Sequence, residues 1–110
     1  MSTKPETVDF ILEQLSTMAN IRTRKMFGEY ALYCDEKVVA LICDDELFIK
    51  PTVAGKNFVA DDYQEGPPYP GAKPYMKVDE KLDDSQWLCA LIRVTADELP
   101  LSKPKKNRIV

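Results

Sequence analysis

Cationic and aromatic side chains are concentrated in one short stretch near the start of the chain. The stretch 22–33 places three cations before three aromatic residues: Arg22, Arg24, Lys25, Phe27, Tyr30 and Tyr33. Cations beside aromatic rings can hold phosphate groups or stack on nucleic-acid bases. Lys50 ends a later strand-like run that hairpins would return toward this stretch, so we include it in the same candidate site. An aromatic core with solvated charges explains the same pattern without any ligand.

A second group of cations lies at the end of the sequence. The formal net charge is −3, yet residues 100–110 contain four cations and no acidic residue: Lys103, Lys105, Lys106 and Arg108. Together with Arg22, these residues are candidates for salt-dependent contact with nucleic-acid phosphates. A solvated tail without fixed structure is the alternative, and the acidic remainder of the chain repels phosphate. We assign residues 1–101 to the folded domain and residues 102–110 to this basic tail.

The residue types that most catalytic and metal sites require are missing. The chain has no histidine, which excludes Ser-His and Cys-His nucleophile pairs and the common mixed zinc sites. Its three cysteines, Cys34, Cys43 and Cys89, lack a Cys-x-x-Cys spacing and are expected to be reduced thiols. The acidic pairs fall at predicted turns and helix starts, where carboxylates serve local structure. We therefore predict a protein that is not an enzyme and has no catalytic residue, metal or cofactor.

Length and composition indicate one domain. With 110 residues, 45% of them hydrophobic and 30% charged, the chain can bury a single core without disulfides or metals. No segment has the apolar length that a membrane span requires, and the N-terminus lacks the pattern of a secretory signal. We expect a cytoplasmic protein that does not enter membranes.

Helical periodicity is strong near the N-terminus. Apolar residues at helical spacing predict a helix over residues 7–19: Val8, Ile11, Leu12, Leu15, Met18 and Ala19. Thr3 and Glu6 have the spacing of a capping box, and Pro5 suits a first helical turn because its missing N–H costs nothing there.

Residues 24–50 contain three short runs rich in aromatic and β-branched residues, which predict an antiparallel meander. The triplets Asp35-Glu36-Lys37 and Asp44-Asp45-Glu46 separate the runs and are expected to form three-residue turns. Gly28 interrupts the first strand, where it marks either a bulge or the close approach of a helix. The resulting register places Cys34 opposite Val38 and Cys43 opposite Leu47.

Both faces of this predicted sheet are apolar. One face carries Ala31, Tyr33, Val39, Leu41, Cys43, Leu47 and Ile49. The other carries Tyr30, Leu32, Cys34, Val38, Ala40, Ile42 and Phe48. Because an antiparallel sheet normally leaves one face wet, a second cover is expected: a returning segment around residues 53–60 or the loop after it, a partner subunit or a ligand. A monomer and a homodimer explain the pattern equally well.

A proline-rich segment follows the sheet. Residues 61–74 contain four prolines and two glycines, which exclude a helix or a central strand there. Tyr63, Tyr69 and Tyr75 make this loop either a lid over a small-molecule pocket or an aromatic plug on the sheet. Residues 75–78 are predicted to return as a short strand.

A second helix is predicted over residues 84–96, with Asp83 as its N-cap and Gln86 at the box position. Its apolar stripe consists of Trp87, Leu88, Leu91 and Ile92.

Residues 24–33 also carry a family resemblance. They resemble the Met-Phe-Gly-x-Tyr-x-Leu-Tyr signature in the N-terminal domain of TfoX/Sxy-type proteins, which regulate natural competence in bacteria. Residues 47–50 and 74–76 look like two later strands of that family. The string 67–74, with Asp84-x-x-Trp87 and Ala96-x-x-Leu99-Pro100, looks like a compact subgroup that consists of this domain alone.

The resemblance implies a two-layer fold and a role in regulating gene expression during DNA uptake. We predict an α+β fold in which an antiparallel β-meander sheet packs against N- and C-terminal helices. The predicted function is a non-catalytic regulatory or protein-interaction domain, with these candidate binding residues: Arg24, Lys25, Phe27, Tyr30, Tyr33, Lys50 and Tyr69. Nucleic-acid binding through Arg22, Arg24, Lys25 and the basic tail is one alternative, and small-molecule binding under the 61–74 loop is another.

Overall fold

The computed structural model describes residues 3–100 of the chain. Within these residues there are three α-helices: α1 (Pro5–Gln14), α2 (Val53–Val59) and α3 (Ser85–Glu98). The six strands are β1 (Ile21–Met26), β2 (Glu29–Cys34), β3 (Lys37–Cys43), β4 (Glu46–Ile49), β5 (Glu65–Gly66) and β6 (Tyr75–Val78). A 3-10 turn, Ala60–Asp62, follows α2. The fold is therefore α+β, with helices at both ends of the chain flanking the sheet.

All six strands form one antiparallel sheet in the order β1-β2-β3-β4-β6-β5. The first four strands form the predicted meander, but with four strands instead of three. The extra strand arises because the first predicted strand is observed as a hairpin of β1 and β2. Phe27 and Gly28 form its turn, with φ angles of 50° and 83°. Gly28 is thus a turn residue and not the bulge inside a strand that the sequence analysis offered as one interpretation.

The other two hairpins also turn through two residues, so the predicted three-residue turns are wrong. Asp35 and Glu36 have φ angles of 54° and 66°, and Asp44 and Asp45 have 52° and 63°. Positive φ at both central residues is the pattern of turns whose twist matches that of the flanking strands. The observed register pairs Cys34 with Lys37 and Cys43 with Glu46.

A β-bulge partly restores the predicted register between β2 and β3. Leu32 pairs with Ala40, but Tyr33 pairs with Val38, so Val39 is the extra residue. Val39 joins the core beneath the helices. The predicted faces hold for most of β2 and β3, but five assignments are wrong. Val39, Leu47 and Ile49 lie on the side of the helices, whereas Phe48 and Val38, which pairs with Tyr33, lie on the opposite side.

The helices cover one face of the sheet, which we call the helix face. Apolar side chains from all three helices pack with it into one core: Val8, Ile11, Leu15, Val59, Leu88, Leu91, Ile92 and Ala96. Six of these side chains are no more than 1% exposed. Each buried Leu or Ile side chain contributes roughly 1.5–3 kcal/mol relative to exposure. The core therefore holds α1 and α3 against the sheet although they lie at opposite ends of the chain.

The start of α1 is capped from a distant turn. The Lys4 backbone N–H and the Thr7 hydroxyl both donate to Asp45 Oδ1, each over 2.8 Å. The predicted capping box of Thr3 and Glu6 is wrong, since Lys4 is the N-cap. Pro5 is the first helical residue, as predicted. The helix ends at Gln14 rather than residue 19, although Leu15 still packs in the core.

The remaining helices also differ from the predictions at their ends. The N-cap of α3 is Asp84, not Asp83, and its Oδ1 accepts from the Trp87 N–H over 3.1 Å. The short helix α2 was not predicted, because seven residues with a glycine inside carry too little periodicity to identify a helix. Thr52 caps it by accepting from the Gly55 N–H over 2.9 Å.

The proline-rich segment contains the end of the 3-10 turn and the edge strand β5, and residues 67–74 are irregular. Within the described residues, no helix has the length and apolar character needed to cross a bilayer. The predicted basic tail, residues 102–110, lies outside the described part of the chain.

Candidate functional site

The sheet face opposite the helices, which we call the second face, carries an apolar strip across neighbouring strands. Arg24 pairs with Ala31, Ala31 with Leu41, Leu41 with Phe48 and Phe48 with Lys77. Only the middle of this row is apolar, and its ends are cationic.

An open groove runs along one end of the second face. Its apolar section has a volume of about 490 Å³ and is lined by Met26, Phe27, Glu29, Tyr30, Leu41, Cys43 and Tyr69. Its acidic section has a volume of about 270 Å³ and is lined by Glu29, Asp44, Glu46, Phe48, Pro67, Pro68, Tyr69 and Pro70. Because Glu29 and Tyr69 line both sections, the two form one continuous groove.

Two hairpins and one loop position these side chains. The β1–β2 turn carries Phe27, with Met26 and Glu29 paired beside it. The β3–β4 turn carries Asp44, with Cys43 and Glu46 paired beside it. The proline-rich loop returns over this end of the sheet, with Pro68 buried and Tyr69 exposed over 57% of its surface. The loop is thus the partial cover that the two apolar faces predicted.

Phe27 is the most unusual residue of the groove. Its side chain is fully exposed, and its φ of 50° lies in the left-handed region. That conformation costs a residue with a side chain roughly 1–2 kcal/mol. A large aromatic side chain gains nothing from folding in such a position, and strained, exposed residues of this kind concentrate at functional sites.

The groove has a negative electrostatic character. Among residues 3–100, three carboxylates line it, those of Glu29, Asp44 and Glu46, and no Lys or Arg does so. Glu29 is held in place by the Thr3 hydroxyl at 2.6 Å and by the Asp44 backbone N–H at 3.0 Å. Glu46 forms an ion pair with Lys77 at 3.4 Å, outside the groove lining.

The thiol in the groove lining, that of Cys43, has a raised pKa. Burial, followed by the charges of Glu29 and Asp44, raises the pKa of Cys43 to about 11. Burial also raises the pKa of the Cys34 thiol, although Arg93 lies beside it. Both thiols are therefore protonated near neutral pH and are poor nucleophiles.

The structure brings only some of the predicted binding residues together. Phe27 and Tyr69 line the groove, and Tyr30 borders it, although its pairing with Lys25 and Ile42 places its side chain on the helix face. Arg24 lies on the second face beside Ala31, outside the groove lining.

The other predicted residues lie elsewhere. Lys25 pairs with Tyr30 and lies on the helix face, opposite to Arg24. Tyr33 lies beneath the Arg22 guanidinium, which is 4.0 Å from the ring centroid. Lys50 donates its backbone N–H to Val39 at the end of β4.

The structure weakens the prediction that residues of β1 bind nucleic acid. Arg22 is engaged by Glu36, with a 2.8 Å ion pair that also raises the pKa of the guanidinium. Arg24 and Lys25 project to opposite faces, so Lys25 does not share a patch with Arg22 and Arg24. The remaining candidates, Lys103, Lys105, Lys106 and Arg108, lie outside the described residues.

Sequence reasoning missed most of the groove lining. The missed residues are Met26, Glu29, Leu41, Cys43, Asp44, Glu46, Phe48, Pro67, Pro68 and Pro70. One signal was available: a glycine after Phe27 suits a two-residue hairpin turn, which would have paired Met26 with Glu29. The position of the loop over this end of the sheet had no comparable signal.

Metal chemistry has no visible basis in this groove. Across residues 3–100, no group of three or more Cys, Asp or Glu side chains is arranged to hold a metal ion.

Comparison with known proteins identifies the relationship of this chain. Residues 13–99 match the family described as the TfoX N-terminal domain. The chain is also 42% identical over 108 residues to a protein of Spirochaeta aurantia described as an uncharacterized 12.7 kDa protein in the trpE 5′ region. That match covers 98% of this chain and 93% of the relative. Together with the six-stranded sheet and its flanking helices, these matches establish that the chain belongs to the TfoX N-terminal domain family.

Proposed function

We propose that this domain is a non-catalytic regulatory module that docks a partner protein on the groove of its second face. The observation that supports this most is Phe27, a fully exposed aromatic side chain in a strained turn at the rim of an apolar groove. Aromatic side chains, Phe among them, are enriched at the core of protein interfaces relative to the rest of the surface.

The uneven cover of the sheet supports the same proposal. The helices bury the helix face, whereas the proline loop covers only one part of the second face. Met26, Phe27 and Tyr69 are three of the six large hydrophobic side chains that are exposed among the described residues. All three line the apolar section of the groove. Such clustering at one site is typical of an interaction surface.

Family membership supports a regulatory role. We propose that the interaction serves gene regulation connected with competence, which is the role that the resemblance to TfoX/Sxy proteins implies. This part of the proposal rests on the family alone, because a fold hosts many functions and the groove carries no signature of a particular pathway.

Affinity capture with matched variants tests the docking proposal. The baits are the unaltered chain, Phe27→Asn and Phe10→Asn, each exposed to a native lysate of the encoding organism and analysed by mass spectrometry. Phe10 is a control because it is exposed on α1, on the helix side of the sheet. We expect a partner that Phe27→Asn loses and Phe10→Asn keeps. The captured partner is then purified, and its dissociation constant is measured for all three baits.

A capture pattern that does not depend on Phe27 would contradict the docking proposal. The Asn variant keeps the turn, because Asn tolerates positive φ, so loss of a partner cannot be attributed to a disrupted hairpin.

A small-molecule binding domain is the second candidate function. The apolar section, at about 490 Å³, lies in the size range of ligand pockets, and it is placed between the sheet and the proline loop. A thermal-shift screen against metabolites tests this candidate. A compound that raises the melting temperature of the unaltered chain, and not of a Leu41→Glu variant, would support it.

A further inference from the structure

We propose that the groove binds a second copy of this chain, with the β1–β2 hairpin of each copy docked on the acidic groove of the other. This inference rests on the proposed docking role of the groove and identifies its occupant. The hairpin surface consists of Arg24, Met26 and Phe27.

The β1–β2 hairpin presents a cation, which the described lining of the groove lacks, next to exposed apolar side chains. Arg24 and Met26 are two residues apart on β1, so both lie on the second face. Phe27 follows at the turn and is fully exposed. Arg24 forms no ion pair with the residues that the structure describes. The hairpin therefore offers one cation beside two exposed apolar side chains.

The groove carries the complementary chemistry. The apolar section, with Leu41 and Tyr69 in its lining, has room for a Phe and a Met side chain. The acidic section adjoins it and is lined by Asp44 and by Glu46, which is also paired with Lys77, and no cation among residues 3–100 lines this section. A guanidinium placed there meets carboxylates and the rings of Tyr69 and Phe48, and both kinds of group attract cations.

Two-fold symmetry makes this complementarity reciprocal. Arg24 lies on β1 and Glu46 on β4, three strands away, which is about 14 Å at the spacing of a sheet. At this end of the second face, Arg24 thus lies on the β1 side and the carboxylates of Asp44 and Glu46 lie near β4, with Lys77 of β6 beyond them and paired with Glu46. A two-fold axis parallel to the strands places Arg24 of each copy over these carboxylates of the other. An isologous interface requires such self-complementarity.

Edge-to-edge pairing of β1 with β1 is a poorer arrangement. An antiparallel pairing about a two-fold axis keeps each sheet face on one side, so it places Arg22 of one copy opposite Arg24 of the other when it is centred on Thr23, and Arg24 opposite Arg24 when it is centred on Arg24. Like charges directly opposite one another destabilise a strand pair. The second face is therefore the better surface for self-association.

Charge reversal with rescue tests the inference. The full chain, Arg24→Glu, Asp44→Lys and the double variant are compared by sedimentation velocity over a range of concentrations at low salt. We expect a concentration-dependent dimer for the unaltered chain. Each single reversal is expected to weaken dimerisation about tenfold or more, and the double reversal is expected to recover most of the loss because it restores opposite charges. Raising the salt to 0.5 M, at which screening acts within roughly 4 Å, is expected to weaken the dimer.

Two further variants distinguish loss of interface contacts from a general effect of changing the net charge. Phe27→Asn keeps the turn and is expected to weaken dimerisation about tenfold or more, because it removes the apolar anchor. Lys56 is an exposed residue of α2, and Lys56→Glu makes the same change in charge as Arg24→Glu. We expect this variant to leave the dimer unchanged. Unfolding by urea verifies that each variant is folded.

A monomer at every concentration would overturn this inference, and so would a dimer that none of these groove variants weakens. If the chain is monomeric while a different protein is captured through Phe27, the docking function stands and only its occupant is wrong. If the dimer responds as expected but no other protein depends on Phe27, the groove serves self-association and the wider docking function is wrong.

Discussion

The Thr3 hydroxyl lies 2.6 Å from Glu29 Oε1 and so ties the segment before α1 to the first residue of β2. The Thr3 backbone N–H donates to the Gly28 carbonyl over 3.1 Å, and its Oγ1 accepts from the Asp45 N–H over 3.2 Å. One buried residue therefore connects the two hairpin turns that border the groove. The groove is built on a fixed frame, even though its rim is exposed.

Thr3→Val is expected to lower the free energy of unfolding by about 1–2 kcal/mol, because it leaves the Glu29 carboxylate and the Asp45 N–H without their buried partner. Urea unfolding measures the change. Thr23→Val is the matched control, since Thr23 lies in edge strand β1, where valine suits the backbone. Equal stability of the Thr3→Val variant and the unaltered chain would show that the Thr3 side-chain hydrogen bonds do not stabilise the fold.

Phe27→Asn is expected to raise the free energy of unfolding by roughly 0.5–1 kcal/mol. Asn adopts positive φ more readily than Phe, and Asn-Gly is the preferred pair for a two-residue hairpin turn. Phe27 has no buried contacts to lose, since it is fully exposed. Thermal and urea unfolding measure the gain. A loss of stability would mean that the ring packs in the free monomer.

Acid is expected to destabilise the fold below about pH 4, the ordinary pKa of a carboxyl. The Lys4 N–H, then the Thr7 hydroxyl, lower the pKa of Asp45, and hydrogen bonds from Arg93 and Asn20 lower that of Asp35. Groups with a lowered folded-state pKa stabilise the protein fully above the unfolded pKa and lose this effect as the pH falls through the folded value.

Urea unfolding at a series of pH values between 7 and 2 measures this dependence. Asp45→Asn keeps the hydrogen-bond acceptor and the turn but removes the charge, so its stability is expected to fall less steeply with acid. An identical slope for the variant and the unaltered chain would refute the assignment to Asp45.

Gly55→Ala is expected to lower the free energy of unfolding by about 1 kcal/mol, although alanine normally stabilises a helix. A Cβ at this position would lie 2.8 Å from Thr52 Oγ1 and displace the side chain that caps α2. Asn57→Ala, at an exposed position of the same helix, is the control and is expected to be neutral or stabilising. The comparison of the two variants by urea unfolding isolates the steric effect.

Cys43 is expected to react with iodoacetamide at pH 7.5 about 100-fold more slowly than an ordinary thiol of pKa about 9. Its pKa of about 11 leaves correspondingly less thiolate, and its burial adds a steric barrier. Mass spectrometry of the tryptic peptide that starts after Lys37 follows this reaction alone, since that peptide contains no other cysteine. The urea-unfolded chain is the control, and equal rates in the folded and unfolded states would contradict the prediction.

Helices and strands with strong local sequence patterns could be predicted. The sheet face of each strand residue could not, because it changes when the register shifts by a single residue. The apolar stripe of α3 marked a helix near its true bounds, and the turn residues before β3 and β4 marked a meander. The two-residue turns, however, moved Phe48 to the second face and Leu47 and Ile49 to the helix face. Side chains alternate along a strand, so an error of one residue exchanges its two faces.

The sequence by itself determined the α+β class, the family and the need for cover on both sheet faces, because periodicity, turn residues and signature motifs are local properties of the chain. Only the tertiary structure decided which aromatic side chains meet in a groove and which acids border it. Phe27, Asp44 and Tyr69 come from three separate turns and loops, and their proximity follows from hairpin register and from the path of the proline loop across the sheet. Those relationships arise from long-range packing, which no short stretch of residues encodes alone.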